Sequence, residues 1–409
     1  MRTPINRTVC KKLPAMLLAI GLAAGACSSE TTADTSPDPT IPTTSTEPTT
    51  VTEPSPAVQN ESPADDSELA DVLAAIVADT GVPALGTAVF DSEGLIDQAA
   101  AGVRARGGSI PVTVDDVFHI GSNTKAMTAA LLARIEERGG PVGFDTTLAE
   151  AFGAVAPVHD DYSTVTLEQL LSHTGGAPSD EDLDVDESIF ALPLTEARAL
   201  GAQLIVSESP VAAPGTMSVY SNAGYVLVAA AIESATGQAW EELMTAEIFT
   251  PLVMDSCGFG PPGTEGAVDQ PLGHDAATGE PVYFDNPALL APAGGVHCSM
   301  ADWGRFLVEL LNGFNGESDY LTQTSVERLF EPAAAPVANF EGGSALGWLV
   351  AEGPQGAAWF HNGSNTAWFS QAAIVPGINR VVVSVTNEAD TGEHAGGLAF
   401  AALAELYPA

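Results

Sequence analysis

Alternating apolar patterns near both ends of the folding part, helical periodicity between them, and a helix signal at each extreme predict an α/β (α+β) fold. One antiparallel sheet would be built from both termini and flanked by helices, with a mainly helical subdomain inserted. The first helix, over 67–80, places Leu69, Val72, Leu73, Ile76 and Val77 at spacings of three and four and stops at Gly81. Segments 84–90 and 95–103, parted by Asp91-Ser-Glu-Gly94, read as a hairpin. A helix over 122–138 turns Met127, Ala130, Leu131 and Ile135 inward and ends at Gly139-Gly140. Thr166-Leu-Glu-Gln169 is a capping box that opens a short helix ending at His173. Further helices are expected over 222–235, 238–248 and 298–311, the last with Ser299 and Asp302 at its head. The pattern then switches to period two, giving strands over 346–351, 357–361, 368–375 and 381–386, and a closing helix over 393–406.

The N-terminus has a different character. Arg2, Arg7, Lys11 and Lys12 precede an apolar stretch from Ala15 to Ala26. That stretch is roughly half the length that spans a bilayer, so residues 1–26 read as a signal peptide and the protein as exported. Ala24-Gly25-Ala26-Cys27 resembles the lipobox of bacterial lipoproteins, with Ala24 where leucine is usual, and Cys27 is expected to carry lipid that tethers the protein to the cell membrane. Residues 27–65 are rich in Thr, Pro and Ser and poor in large apolar residues, so they cannot bury enough surface to fold and form an extended tether. Residues 66–409 are apolar-rich without a second such linker, which makes them one folded unit.

The formal net charge is −40, and the basic leader leaves the mature part more acidic still. General electrostatics then exclude nucleic acid and an anionic membrane surface as partners, so the lipid is the expected membrane contact. Of four cysteines, Cys10 departs with the leader, and Cys257 and Cys298 remain as an even pair in an oxidising compartment, a candidate disulfide. There is no Cys-x-x-Cys, His-Glu-x-x-His or His-x-His, and neither a metal nor another cofactor is expected. Gly258-Phe-Gly-Pro-Pro-Gly263 formally fits a dinucleotide fingerprint, but Pro261 and Pro262 lack the N–H groups that a phosphate needs.

Beyond residue 12 the chain has one lysine, Lys125, three residues after Ser122. Residues three apart share a helix face, which lets an amine take a proton from a serine hydroxyl. At a helix start, free backbone N–H groups and the positive dipole end favour negative charge beside Ser122. A second motif, Tyr220-Ser221-Asn222, follows Pro214-Gly215. A phenol is a poor base unless a nearby cation lowers its pKa, and Lys125 would be that cation. A third, His361-Asn362-Gly363-Ser364, ends a strand. Gly363 would let that strand approach a ligand, and the Ser364 N–H would complete an oxyanion hole with that of Ser122. His173 reads as a turn residue, His119, His274 and His297 as satisfied hydrogen-bonders, and Trp359 and Trp368 as pocket walls or core.

In order and rough separation these motifs resemble the serine hydrolases of the class C β-lactamase, D-alanyl-D-alanine carboxypeptidase and family VIII esterase group, with Ser-x-x-Lys, Tyr-x-Asn and Lys/His-x-Gly signatures. Leu170-Leu-Ser-His-Thr-Gly-Gly176, Tyr220-Ser-Asn-Ala-Gly-Tyr225 and Pro292-Ala-Gly-Gly295 add to the likeness, which covers essentially all of 66–409. The resemblance implies the β-lactamase/DD-peptidase-like fold, with Ser122 as nucleophile, Lys125 as its activating partner and Tyr220 as proton shuttle. Asn222 would hold the substrate amide and the lysine, and His361, Gly363 and Ser364 would bind substrate. Many β-lactamases of this group carry lysine where this chain has His361. A histidine near its usual pKa is largely neutral at pH 7, which favours a carboxypeptidase or esterase over a true β-lactamase. If the His361 charge did grip a carboxylate, hydrolysis of anionic substrates would weaken above about pH 7. The expected activity is acyl-enzyme hydrolysis of a D-Ala-D-Ala-type peptide, a β-lactam or a small ester. The alternative is a non-turnover lipoprotein that binds penicillin or peptidoglycan as sensor or scaffold.

Overall fold

The computed structural model describes residues 67–179 and 187–408. The expected signal peptide, Cys27 and the expected tether lie outside them. Helix α1 (Glu68–Thr80) is capped by Ser67, whose Oγ accepts from Ala70 N–H at 3.1 Å, and stops at Gly81 in the left-handed region. Strands β1 (Ala84–Asp91) and β2 (Gly94–Gly102) form the expected hairpin, followed by the short β3 (Val117–His119). A 3-10 turn over Gly121–Asn123 then leads into α2 (Thr124–Glu137). The middle of the chain supplies α3 (Leu148–Phe152), α4 (Leu167–Leu171), α5 (Leu194–Ser207), α6 (Asn222–Thr236) and α7 (Trp240–Met244). Next come β4 (Gly258–Phe259), β5 (Gly273–His274), β6 (Pro281–Val282), α8 (Ala291–Gly294) and β7 (Val296–Ser299). Helices α9 (Met300–Asn315) and α10 (Gln323–Phe330) precede β8 (Gly343–Ala345), β9 (Trp348–Gly353), β10 (Gly356–Ser364), β11 (Phe369–Val375) and β12 (Arg380–Thr386). Helix α11 (Gly392–Leu406) follows.

The main sheet runs β2-β1-β12-β11-β10-β9-β8, with every neighbouring pair antiparallel. Its seam is β1 against β12, with Ala88 opposite Val383, so both termini build one sheet. Helices α1 and α11 cover one face, where Leu69, Leu73, Leu85, Val89, Ala395 and Leu403 pack together. The other face carries α2 and α9 over a larger core that includes Met127, Phe306 and Trp303. With both faces covered, β1 and β11 are buried almost end to end, and a fully buried strand loses its polar alternation.

Local patterning misplaced some boundaries. Cys298, expected to open a helix, is in β7 opposite Phe118, and the helix begins at Met300 behind the Ser299 cap. Its strand state comes from pairing with β3 and β4, which lie far away in sequence. The expected strand at 346 starts at Trp348, because Gly347 turns the chain at φ 85°. Beyond its expected end at residue 361, β10 runs on to Ser364, since Gly363 and Ser364 still pair with Ser370 and Phe369. The helix expected over 238–248 is α7 continued by a π turn over Thr245–Phe249. Cys257 and Cys298 are joined, with an S–S distance of 2.01 Å.

Candidate active site

Ser122, expected to open the helix, occupies the 3-10 turn ahead of α2, which begins two residues later at Thr124. Its Oγ accepts from Lys125 Nζ at 3.1 Å and from Tyr220 OH at 2.7 Å. Lys125 is fully buried, and its ammonium also donates to Asn222 Oδ1 at 2.6 Å and to the Ala293 carbonyl at 2.8 Å. Three acceptors thus surround a group with three protons to give. The same nitrogen stands 4.7 Å from the Tyr220 ring centroid and 5.3 Å from that of Tyr225, within cation–π range. Ser122, Lys125, Tyr220 and Asn222 therefore meet, although Tyr220 is 98 residues from Ser122 in the chain.

The supports are local and specific. Thr128 Oγ1 donates to Pro292 O, and Thr124 Oγ1 accepts from Val296 N, so the Pro292-Ala-Gly-Gly295 segment is pinned to α2. This fixes the Ala293 carbonyl under the lysine. Ser221 caps α6 by accepting from Gly224 N–H at 3.0 Å, which sets Asn222 at the first turn. His173, read from the sequence as a turn residue, does adopt a left-handed φ of 62°. It also does more. Its Nδ1 accepts from Ser221 N–H at 3.1 Å, and its ring packs 4.5 Å from that of Tyr220. Nothing in the residue pattern distinguished this positioning role.

On the opposite side, the end of β10 runs beside the 3-10 turn. A Cβ on Gly121, at φ 50°, would come within 2.5 Å of Ser364 N, and one on Gly363 within 2.0 Å of the Ile120 carbonyl. Glycines at both places let the turn that carries Ser122 and the end of β10 approach each other closely. Asn123, which sequence reasoning passed over, fastens this contact. With its amide turned to suit its neighbours, it accepts from Gly363 N–H at 3.3 Å and donates to the His361 carbonyl at 3.2 Å. Ser370 Oγ donates to the Ile120 carbonyl at 2.7 Å from the next strand. Gly363→Ala should therefore push β10 away, lower kcat by about tenfold or more, measured against any hydrolysed ester, and lower the melting temperature by a few degrees, since overpacking costs about 1–3 kcal/mol.

His361 is buried, with Nδ1 against the Asn362 carbonyl. Burial, reinforced by the Lys125 ammonium, brings its pKa down to about 3. It is therefore neutral throughout the physiological range, and the charge-based grip on a carboxylate considered from the sequence is not available to it. Burial also holds His173 well below its usual value, with Lys125 next in effect. Both histidines are protonated more readily in the unfolded chain than in the folded one. The His361 contribution is complete above about pH 6.5 and erodes as pH falls toward about 3, at roughly 1.4 kcal/mol per pH unit, and that of His173 erodes in the same direction as pH falls. His361→Gln should accordingly flatten the fall of melting temperature between pH 6.5 and 5. An unchanged slope would show that His361 titrates normally.

The other aromatic and histidine candidates are structural. Trp359 stacks on Phe330 at 4.5 Å and donates to the Phe330 carbonyl, while Trp368 packs edge-on against Phe118. His274 accepts from Arg106 N–H, and His297 Nδ1 lies 2.8 Å from the Gly260 carbonyl.

A serine hydroxyl held between an amine and a phenol, on the turn that leads into a helix beside an antiparallel sheet built from both termini, defines a serine hydrolase. The chain belongs to the beta-lactamase family, whose model matches residues 69–406. It is 28% identical over 324 residues to penicillin-binding protein 4 of Amycolatopsis lactamdurans, spanning 75% of this chain and 81% of the relative. It is 26% identical over 209 residues to the D-alanyl-D-alanine-carboxypeptidase/endopeptidase AmpH of Escherichia coli, where the match takes in 50% of this chain and 52% of the relative. The match to the unguisins hydrolase ungD of Aspergillus violaceofuscus takes in 42% of that protein's length. Among solved structures, the octameric penicillin-binding protein homologue of Pyrococcus abyssi superposes with a TM-score of 0.69 at 22% identity, covering 84% of this chain and 77% of that one. The D-stereospecific amidohydrolase of a Streptomyces species gives 0.63 at 23% identity, covering 83% and 98%. These likenesses show a shared fold.

Proposed function

We propose that the protein is an exported, lipid-anchored serine hydrolase that cleaves an amide or ester through an acyl-enzyme on Ser122. The observation that carries this reading is the Ser122 hydroxyl, hydrogen-bonded at 3.1 Å to Lys125 Nζ and at 2.7 Å to Tyr220 OH. In the acylation step the Lys125–Tyr220 pair, carrying one proton fewer than an ammonium plus a phenol, takes up the hydroxyl proton as Oγ attacks the carbonyl carbon. The Ser122 and Ser364 N–H groups receive the developing oxyanion. Tyr220 then delivers the proton to the departing nitrogen or oxygen, and the acyl group stays on Ser122. Water, giving its proton to the same pair, releases the acid. Asn222 keeps the lysine in place and faces the cleft, where it can hold the substrate amide.

The names of the relatives support a D-Ala-D-Ala-type peptide or a related amide as substrate. A neutral His361 where many β-lactamases have lysine favours a carboxypeptidase- or esterase-type hydrolase over a true β-lactamase. Rates on a chromogenic cephalosporin, a p-nitrophenyl ester and a D-Ala-D-Ala peptide, each run beside Ser122→Ala, test the reading. Turnover of at least one that vanishes in the variant supports it. A labelled penicillin that attaches to Ser122 and stays for hours, with no turnover of any of the three, would instead identify a binding protein.

A further inference from the structure

The cleft over Ser122 encloses about 220 Å³, and among the described residues its lining includes no lysine, arginine or histidine. Two acids do line it, Glu241 and Asp285. Glu241 is spoken for: both its oxygens accept from the buried Arg198, at 3.0 and 2.7 Å. Asp285 is different. Its Oδ1 accepts from Asn286 N–H at 2.7 Å and from Asn365 Nδ2 at 3.2 Å. It also lies 3.0 Å from His119 Nε2, an electrostatic contact outside hydrogen-bond geometry. Oδ2 has no hydrogen-bond partner among the described residues.

The anchors place this carboxylate. His119 is two residues before Gly121 and accepts its N–H at 3.1 Å, and Asn365 directly follows Ser364. Asp285 is thus tied to both backbone segments that frame the oxyanion side. Its side chain is 13% exposed, so one oxygen is locked and the charge is largely shielded from water while still facing the cleft. Leu194, Phe259 and Leu290 give the remaining wall an apolar character.

From this geometry we infer that Asp285 selects substrates bearing a protonated amine next to the scissile carbonyl and disfavours those with a free carboxylate. The inference rests on the acyl-enzyme reading of Ser122 and narrows it to α-amino amides and esters, away from D-Ala-D-Ala-type peptides and β-lactams, which carry a free carboxylate. An α-ammonium branches one bond from the carbonyl that the two backbone amides hold, and Asp285 Oδ2 is the open acceptor on that side. A carboxylate would meet two acids in the cleft, and the Lys125 ammonium already serves three acceptors. The net charge of −40 further favours cationic over anionic ligands at low ionic strength.

The test compares kcat/KM for D-phenylalanine p-nitroanilide and N-acetyl-D-phenylalanine p-nitroanilide, using wild type, Asp285→Asn and Ser122→Ala. Asparagine retains an acceptor for Asn286 and Asn365 but removes the charge. The wild type should prefer the free amine by about ten- to a hundredfold, the range expected of a hydrogen bond to a charged group, and Asp285→Asn should bring that ratio close to one. A wild-type ratio near one, or a preference that survives Asp285→Asn, overturns the inference. Should Asp285→Asn fail to fold, the wild type alone decides: (R)-1-phenylethylamine should compete at concentrations about tenfold below (R)-1-phenylethanol, and equal inhibition overturns it. Turnover of both anilides at equal rates, lost in Ser122→Ala, leaves the acyl-enzyme reading standing. Absence of turnover on every substrate, with no penicillin label on Ser122, removes both.

Discussion

Ser122→Ala should lower kcat/KM by about four orders of magnitude or more on every hydrolysed substrate, because the nucleophile and the base that serves it act as one unit. The fold should hardly notice. Ser122 is on a partly exposed turn, and its hydroxyl is an acceptor for two groups that each have other contacts: Lys125 keeps Asn222 and Ala293, and Tyr220 keeps its packing against His173. The prediction is checked by steady-state rates together with thermal melting. A variant that keeps more than about one part in a hundred of wild-type activity, with its melting temperature unchanged, would show that chemistry does not pass through an acyl-Ser122 intermediate.

Lys125→Met is the second large effect, and it separates charge from packing. Methionine nearly matches the lysine stem in volume, so the fully buried site stays filled. What disappears is the lysine nitrogen, which in its neutral amine form is the acceptor of the serine proton. We expect acylation by a labelled penicillin, and hydrolysis of any substrate, to fall by about 10³-fold or more. Stability has two opposed contributions. The Asn222 oxygen and the Ala293 carbonyl lose a donor, at roughly 1–3 kcal/mol each if left without water. Against this, burying a charge is itself unfavourable, and its removal offsets part of that loss. The melting temperature should therefore move by only a few degrees while activity collapses. Retained acylation in a folded Lys125→Met protein would assign the base to Tyr220 alone.

Much of the fold was legible because its signals are short-range. The helix stop at Gly81, the capping box Thr166–Gln169 and the hairpin turn at Asp91–Gly94 each act within four residues, and each appears where the residue types require. The Ser122–Lys125 spacing belongs to the same class. Errors arose where partners are remote. Val296–Ser299 is extended because it is hydrogen-bonded between β3 and β4, and no local pattern announces that. Asn123 and His173 were missed or underread for a related reason: their importance lies in what they touch, the backbone of β10 and the Ser221–Tyr220 segment, over 200 and about 50 residues away.

The amino-acid sequence alone determined which reactive groups exist and the local turns that present them: a hydroxyl and an amine three residues apart, a Tyr-x-Asn ahead of a helix, and glycines where backbones must nearly touch. Only the tertiary structure decided which of these groups meet and in what state. Tyr220 reaches Ser122 because α6 is set against α2, His361 is neutral because burial and a neighbouring ammonium disfavour its charged form, and Asp285 faces the cleft because His119 and Asn365 hold its other oxygen. Bond geometry and capping depend on adjacent residues, whereas desolvation and Coulomb interactions depend on whatever the fold brings close.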